Sequence, residues 1–490
     1  MVAPAVALVA VVLGILVGEA RGPADARAMV VLAVLALVVT ARTAPGWRRV
    51  AAIVFAVGLL GGAAMQRALD GLTHSPLTTA VAARADITAR VTLVEDPDAT
   101  RWSASALVRV DAWSTGTSPR DSAGGRRVLA SASGDSTTRL ALLAAGEGAT
   151  VRGWLAPLDG FDTRMKWRHA VATLHVTDVL AVARPRDPLA RLANRARSLV
   201  LSGSEALAPV DRAVLAGFLL GDTRAVPDQV EEQFRAAGLT HLTAVSGGNV
   251  AFVLALVAPL LRRLRLGGRL VTSLAVLVLF GTMTRWEPSV ARAITMAVIG
   301  LLAGYLGRPT AGVRVLVLAA GALLLVDPFL VHSVGFLLSC AASLGIALWA
   351  RPIARWRRGP MWLREVLAVS AAAQLGVAPV LVPVFGSIPL VALPANLVAV
   401  PLAAPLTMWG IVAGVANGLI GPIAPSIPRL LAVPTAALVH ALLAVADVAS
   451  RVPIALDGRA LAGIVALGTL VAAAHRARSL RRDARPLPAR

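Results

Sequence analysis

Twelve apolar stretches, several close to the roughly 18 residues a membrane-spanning helix needs, recur along these 490 residues. In hydrocarbon every backbone N–H and C=O must find its partner inside the protein, so such stretches are committed to helix. They fall near 1–18, 28–41, 50–64, 249–261, 270–284, 289–306, 315–326, 332–350, 366–384, 397–419, 434–449 and 460–474. The rest of the chain is too apolar for a soluble alternative: 57% of residues are hydrophobic and the mean hydropathy is +0.73. The first stretch lacks a small-residue cleavage site ahead of a soluble domain, so it reads as an anchor rather than a removed leader.

Charge supplies the orientation. A net charge of +21 invites a nucleic-acid partner, but most of it sits in the short segments 42–49, 262–269, 307–314, 351–365 and 475–490. All of these lie between or after apolar stretches, where the positive-inside rule puts cytoplasmic loops. The reading is a multi-pass protein of the bacterial inner membrane with both termini cytoplasmic. Nearly all the basic residues are arginine, which reflects coding bias. The single cysteine, Cys340, excludes an internal disulfide framework and a cysteine-rich metal site.

Residues 66–189 are different in kind. Ile87–Val94 and Ala106–Val110 alternate with the period of half-buried strands, and Val128–Ala132, Arg139–Leu143, Thr150–Leu155 and Ala170–Leu180 are further candidates. Five or six short strands separated by Gly, Ser, Asp and Pro suit a small barrel, OB-like in kind. With 15 basic and 13 acidic residues this region gives little support to a DNA-binding surface. The fold expected is a polytopic α-helical membrane protein with an inserted small external β-barrel. Its parts are N-terminal transmembrane helices (1–65), the external β-domain (66–189), interfacial amphipathic helices (190–248), a transmembrane domain (249–474) and a basic cytoplasmic tail (475–490). Within the third part, Pro227 suits a helix start, Glu231 and Arg235 pair at i,i+4, and Gly238 ends the helix.

Residues that carry chemistry are few. No zinc-protease, phosphate-loop or nucleophile-elbow pattern occurs, the histidines have no metal-ligand spacing, and no catalytic residue, metal or cofactor is expected. Polar residues at the edges of apolar stretches are the better candidates. Asp222 lies in a polar turn, and His241, Ser246, Gly247, Gly248 and Asn249 lead into the stretch at 249–261. They fit either a wet pathway or close helix packing. Arg285, Glu287 and Arg292 cluster at one turn, with Arg292 inside the next apolar stretch and Glu287 its obvious ion-pair partner. Gln374 and Asn396 are polar within or beside apolar stretches. The prolines at 379, 383, 389, 394 and 401 predict broken or re-entrant helices between 379 and 401.

The run from Gly238 to Gly247, within the wider match Gly221–Val250, resembles the core motif of the ComEC-type DNA-internalisation (competence) family. The resemblance continues through Ser289–Met296, Asp327–Ser339 and Gln374–Pro401, and Gly153–Asp162 is similar to part of that family's external OB-like domain. It departs at Gly248-Asn249, where many members carry Leu-His, so no role of that histidine transfers. The resemblance implies a channel that admits single-stranded DNA to the cytoplasm during natural transformation. It also implies membrane lipid, a DNA-delivery protein and a cytoplasmic DNA translocase as partners. The sequence contains no His-x-His-x-Asp-His pattern of the nuclease domain that many members carry, so strand degradation is assigned to a separately encoded nuclease. Replacing Arg292 or Asn249 by alanine is expected to abolish uptake. The alternative is a polytopic transporter or membrane enzyme acting on a small solute or lipid.

Overall fold

The computed structural model describes residues 2–457, apart from 23–25, 44–45, 101, 117–120, 244, 309, 356–358, 422, 425 and 453–454. The apolar stretch at 460–474 and the basic segment 475–490 lie outside the described residues.

Three apolar helices open the chain: α1 (Val2–Arg21), α2 (Arg27–Thr43) and α3 (Gly46–Thr73). Helices α1 and α3 pack closely because glycines face each other: a Cβ on Gly14 would strike the Gly58 carbonyl, and one on Gly61 would come within 2.5 Å of the Val11 carbonyl. Lipid gives apolar side chains no reason to prefer each other, so such close backbone approach is what joins helices in a membrane.

A short α4 (Thr78–Ala82) then leads into strands β1 (Asp86–Leu93), β2 (Asp98–Ala99), β3 (Ser103–Ser114), β4 (Asp121–Ser122) and β5 (Arg127–Ser133). Helix α5 (Asp135–Ala141), β6 (Gly148–Ala156) and β7 (Ala170–Ala183) complete the domain, with a 3-10 helix (Gly160–Arg168) before β7. Five strands close on themselves: β1 pairs β3 and β6, β3 pairs β5, β5 pairs β7 in parallel, and β7 pairs β6. In chain order that is first–second–third–fifth–fourth–first, with a helix between the third and fourth strands, which is an OB-like barrel. Alternation fills it: Ile87, Ala89, Val91 and Leu93 of β1 are buried against Val108, Val128, Leu155 and Leu174. Bulges in β3 and β7 bend the long strands round the closure.

One expected strand is helix. Arg139–Leu143 falls in and just after α5, where Leu140 and Leu143 are buried three residues apart while Leu142 is exposed. Five residues cannot separate period 2 from period 3.6 when so many are apolar.

After the barrel come α6 (Pro188–Gly203), α7 (Pro209–Leu220), α8 (Asp228–Ala236) and a single turn, α9 (Thr240–Thr243). Gly238, in the left-handed region at φ 69°, terminates the α8 region, and Glu231 pairs with Arg235 at 3.1 Å. The main helical body follows: α10 (Gly247–Leu261), α11 (Leu266–Met283), α12 (Pro288–Tyr305), α13 (Gly312–Val326), α14 (Val334–Ala354), α15 (Met361–Phe385), α16 (Ala392–Ile420) and α17 (Ser426–Ser450). Among the described residues, eight helices are long and apolar enough to cross a membrane, and α2, α10 and α13 are shorter apolar helices. The protein is a polytopic helical protein with an inserted barrel.

The prolines do not break the helices they sit in. Helix α15 runs through Pro379 and Pro383, and α16 through Pro401 and Pro405. The interruption lies between the two helices, where Gly386 (φ 80°) ends α15 and β8 (Ser387–Pro389) pairs with β9 (Ala455–Asp457). Inside packed membrane helices the freed carbonyls are re-satisfied locally, which lowers the cost of proline.

Candidate functional site

Short connections make consecutive helices antiparallel, so α10, α12, α14 and α16 all begin on one face of the body. The barrel sits on that face. Its β1–β2 loop carries Asp96, which accepts from Arg285 at 2.8 and 3.1 Å and from Arg197 at 2.8 Å. Arg285 occupies the turn between α11 and α12, and both it and Trp286 have left-handed backbone (φ 57° and 54°). Two such non-glycine residues in succession are strained, and the turn is held by main-chain bonds from Arg285 to Thr282 and from Trp286 to Gly281 together with the ion pair to the barrel.

Arg197 is the centre of this junction. It projects from the apolar stripe of α6 and donates to the last carbonyls of two helices, Leu220 of α7 at 3.0 Å and Met283 of α11 at 2.6 Å. Its other nitrogen reaches Asp96 and, at 3.3 Å, Asp222. Asp222 is held in turn by a two-pronged contact from Arg224 at 2.7 Å. Burial pushes the Asp96 and Asp222 carboxyls up, but the surrounding guanidiniums outweigh it and hold both below the usual aspartate range. Glu287, just beyond the network, is different: burial pushes its carboxyl up, and no cation lies within ion-pair reach among the described residues.

Beneath the junction the polypeptide leaves helix at Val245 and Ser246 and re-enters it at Gly247. Asn249, buried, donates to the Phe218 carbonyl in the last turn of α7 at 2.8 Å and accepts from Ser246 Oγ at 3.3 Å. Its amide therefore caps a helix end. Arg292 of α12 donates to Ser339 Oγ of α14 at 2.8 Å and approaches Met296 Sδ at 2.9 Å. Its third nitrogen lies against Gly247, where an added Cβ would meet it at 2.8 Å. Glu287 is not its partner: no carboxylate pairs with Arg292 among the described residues. His241 keeps an exposed side chain between buried Leu239 and Leu242. Gln374 of α15 donates to the Pro389 carbonyl at 3.1 Å, and Asn396 of α16 has a buried Oδ1 without a hydrogen-bond partner. Gly238 packs onto the same turn, with its Cβ position 2.8 Å from Pro389.

These residues belong to a closed ring of five helices. Helix α10 packs on α12, α12 on α14, α14 on α15, α15 on α16, and α16 back on α10. No pair across the ring packs to a comparable extent. The α14–α15 seam is glycine on glycine, Gly345 against Gly376. Every helix of the ring carries polar side chains, among them Ser246 at the start of α10, Arg292, Ser339, Gln374 and Asn396, and of these Arg292 and Ser339 are in direct contact. Four of the five helices direct their N-termini, with their partial positive charge, to the face under the barrel.

The expected site residues thus divide. Asp222 and Arg285 belong to the barrel junction, Glu287 stands beside it, Asn249 caps α7, and His241, Ser246, Gly247, Arg292, Gln374 and Asn396 belong to the α9 turn and the ring. Asp96, Arg197, Arg224 and Ser339 were not anticipated. Arg197 had a signal, because it follows Ala190 and Ala193 on the apolar stripe of an amphipathic helix.

Comparison with known proteins bears on this helical body. The family model described as "Competence protein" matches residues 218–478, more than half of the chain. The chain belongs to the competence protein family. It is similar to the uncharacterized protein YcaI of Escherichia coli, 31% identical over 227 residues, covering 43% of this chain and 30% of that protein. It is also similar to ComE operon protein 3 of Bacillus subtilis, 28% identical over 222 residues, 45% of this chain and 28% of the relative. The matched stretch is therefore less than a third of either relative. No solved structure matches. The family match takes in Asp222, the α9 turn, the ring and Arg285, while Asp96, Arg197 and the barrel lie before it.

Proposed function

We propose that the five-helix ring is a route for single-stranded DNA into the cytoplasm during natural transformation. In this reading the chain is a multi-pass inner-membrane protein with the barrel outside and the basic loops inside. The observation that carries it is Arg292, buried in the ring against Ser339 and Gly247 and free of any carboxylate among the described residues. A buried cation without a counter-ion is costly, and a passing phosphate would supply one. The helix N-termini add positive potential at the mouth, and the unpaired Asn396 Oδ1 supplies an acceptor for a base amino group or water. Membership of the competence family supports the same assignment. A delivery protein outside and a cytoplasmic translocase complete the process in this account.

The test is complementation of a deletion strain with the full chain, scored as transformants per cell and as labelled DNA reaching the cytoplasm. Arg292→Ala is expected to abolish both while membrane levels stay at wild type. Unchanged transformation in that variant rejects the route, and points instead to transport or chemistry on a small solute or lipid.

A further inference from the structure

A second polar site lies away from the ring, where the barrel rests on the ends of α3 and α13. The cavity there has a volume of about 340 Å³. Three arginines line it: Arg67 from α3, and Arg126 and Arg127 from the edge of the barrel. None has a carboxylate within ion-pair reach among the described residues. Each meets a main-chain carbonyl instead: Val326 at 3.5 Å, His74 at 3.1 Å and Arg168 at 3.4 Å. The nearby acids are already engaged. Asp327 pairs with His169 at 3.1 Å and accepts from the Phe329 amide, Asp70 pairs with His74 at 2.7 Å, and Glu95 pairs with Arg168. Gly71 leaves room for the Arg126 guanidinium, which would lie 2.9 Å from any Cβ there. Such an arrangement of guanidiniums suits an oxyanion with several acceptor oxygens.

The position in the fold says which oxyanion. From Val50 to Met65 helix α3 is uninterrupted apolar or small residues, a rise of about 24 Å. Gln66 and Arg67 follow at once, so the cavity opens within a turn or two of the hydrocarbon boundary, at headgroup height. The rest of its wall is the His169 ring, already paired with Asp327 and tilted against Phe329, together with apolar or small residues such as Leu72, Val326 and Pro328. No Trp, Tyr or Phe lines it to offer a base an open stacking face. We infer that this cleft holds the phosphate of an anionic phospholipid from the leaflet beneath the barrel, so that a lipid headgroup forms part of the seat between barrel and helices. This site does not depend on what crosses the ring.

Native mass spectrometry of the full chain in zwitterionic detergent, titrated with phosphatidylglycerol, tests it. One saturable lipid is expected, with affinity lowered about tenfold or more by the double variant Arg126→Gln/Arg127→Gln. The same loss of charge at the exposed barrel residues Arg90→Gln/Arg152→Gln is expected to leave binding unchanged. Arg67→Gln, at the exposed end of α3, gives the same readout should the double variant not fold. Inorganic phosphate and a thymidine oligonucleotide at matched phosphate concentration are expected to leave the lipid bound. Wild-type affinity in the variants, equal loss in the control, or displacement of the lipid by either competitor overturns the inference.

Discussion

At Arg292 and Asn249 the same type of sequence signal, a polar residue at the edge of an apolar stretch, has two different structural outcomes. Asn249 spends its amide on the Phe218 carbonyl at the end of α7. Asn249→Ala leaves that buried carbonyl unpaired and is expected to cost about 1–3 kcal/mol, read as a lower melting temperature in detergent. An unchanged melting temperature contradicts the capping role. Among the described residues Arg292 holds no such obligation to main chain and is restrained by Ser339, Met296 and the bare surface of Gly247. Gly247→Ala therefore has to push the guanidinium aside or strain the helix pair, at about 1–3 kcal/mol. Uptake is expected to fall in Gly247→Ala with the protein still inserted, and wild-type uptake would show that the guanidinium's place does not matter. Sequence placed both residues at the edge of a stretch, but which carbonyl or hydroxyl each would meet depends on α7 and α14, far away in the chain.

Elements explain what was legible and what was not. The apolar helices and the alternating strands each write their period into neighbouring residues, so eleven of the twelve apolar stretches correspond to helices among the described residues, and five strands to the closed barrel. The short segment at 139–143 was ambiguous because its period cannot be measured over so few residues. The proline cluster does mark an interruption within 379–401, at 386–391, but Pro379, Pro383 and Pro401 themselves lie in continuous helix, since local breaking power is overridden in packed membrane helices. The junction of Asp96, Arg197, Asp222, Arg224 and Arg285 was the least legible, because it draws on four separate elements. Asp96→Asn removes the carboxylate from two buried guanidiniums and is expected to cost about 3–5 kcal/mol. The pH dependence follows from the same contacts. Asp96 and Asp222 titrate below the ordinary 3.8 when folded, so as pH falls towards and below that value the unfolded chain takes up protons first. Their contribution is complete above 3.8 and lost as pH falls through the folded values, at about 1.4 kcal/mol per pH unit for each group. Melting followed by circular dichroism across this range should show an acid limb that is shallower in Asp96→Asn, and an identical limb would remove the network from the account.

For the whole molecule, alternating short turns place the barrel, the β8–β9 pair and the starts of α10, α12, α14 and α16 on one face. Arginine-rich connections, such as 262–265 between α10 and α11, fall on the other. With the barrel outside, a cysteine replacing the exposed Arg90 in a Cys340→Ala background is expected to react with a membrane-impermeant maleimide in intact spheroplasts. A cysteine at Arg263 is expected to react only after permeabilisation, and the reverse pattern inverts the protein. The ring itself admits the most direct test. In the same background, single cysteines at Ser246, Ser339, Gln374 and Asn396 are to be labelled in membranes with a charged methanethiosulfonate, with and without single-stranded DNA present. The account predicts that all four react as water-accessible positions, that a cysteine at the exposed Val271 of α11 does not, and that DNA slows the four. Unreactive ring positions, or labelling that DNA leaves unchanged, would contradict a DNA route through the ring.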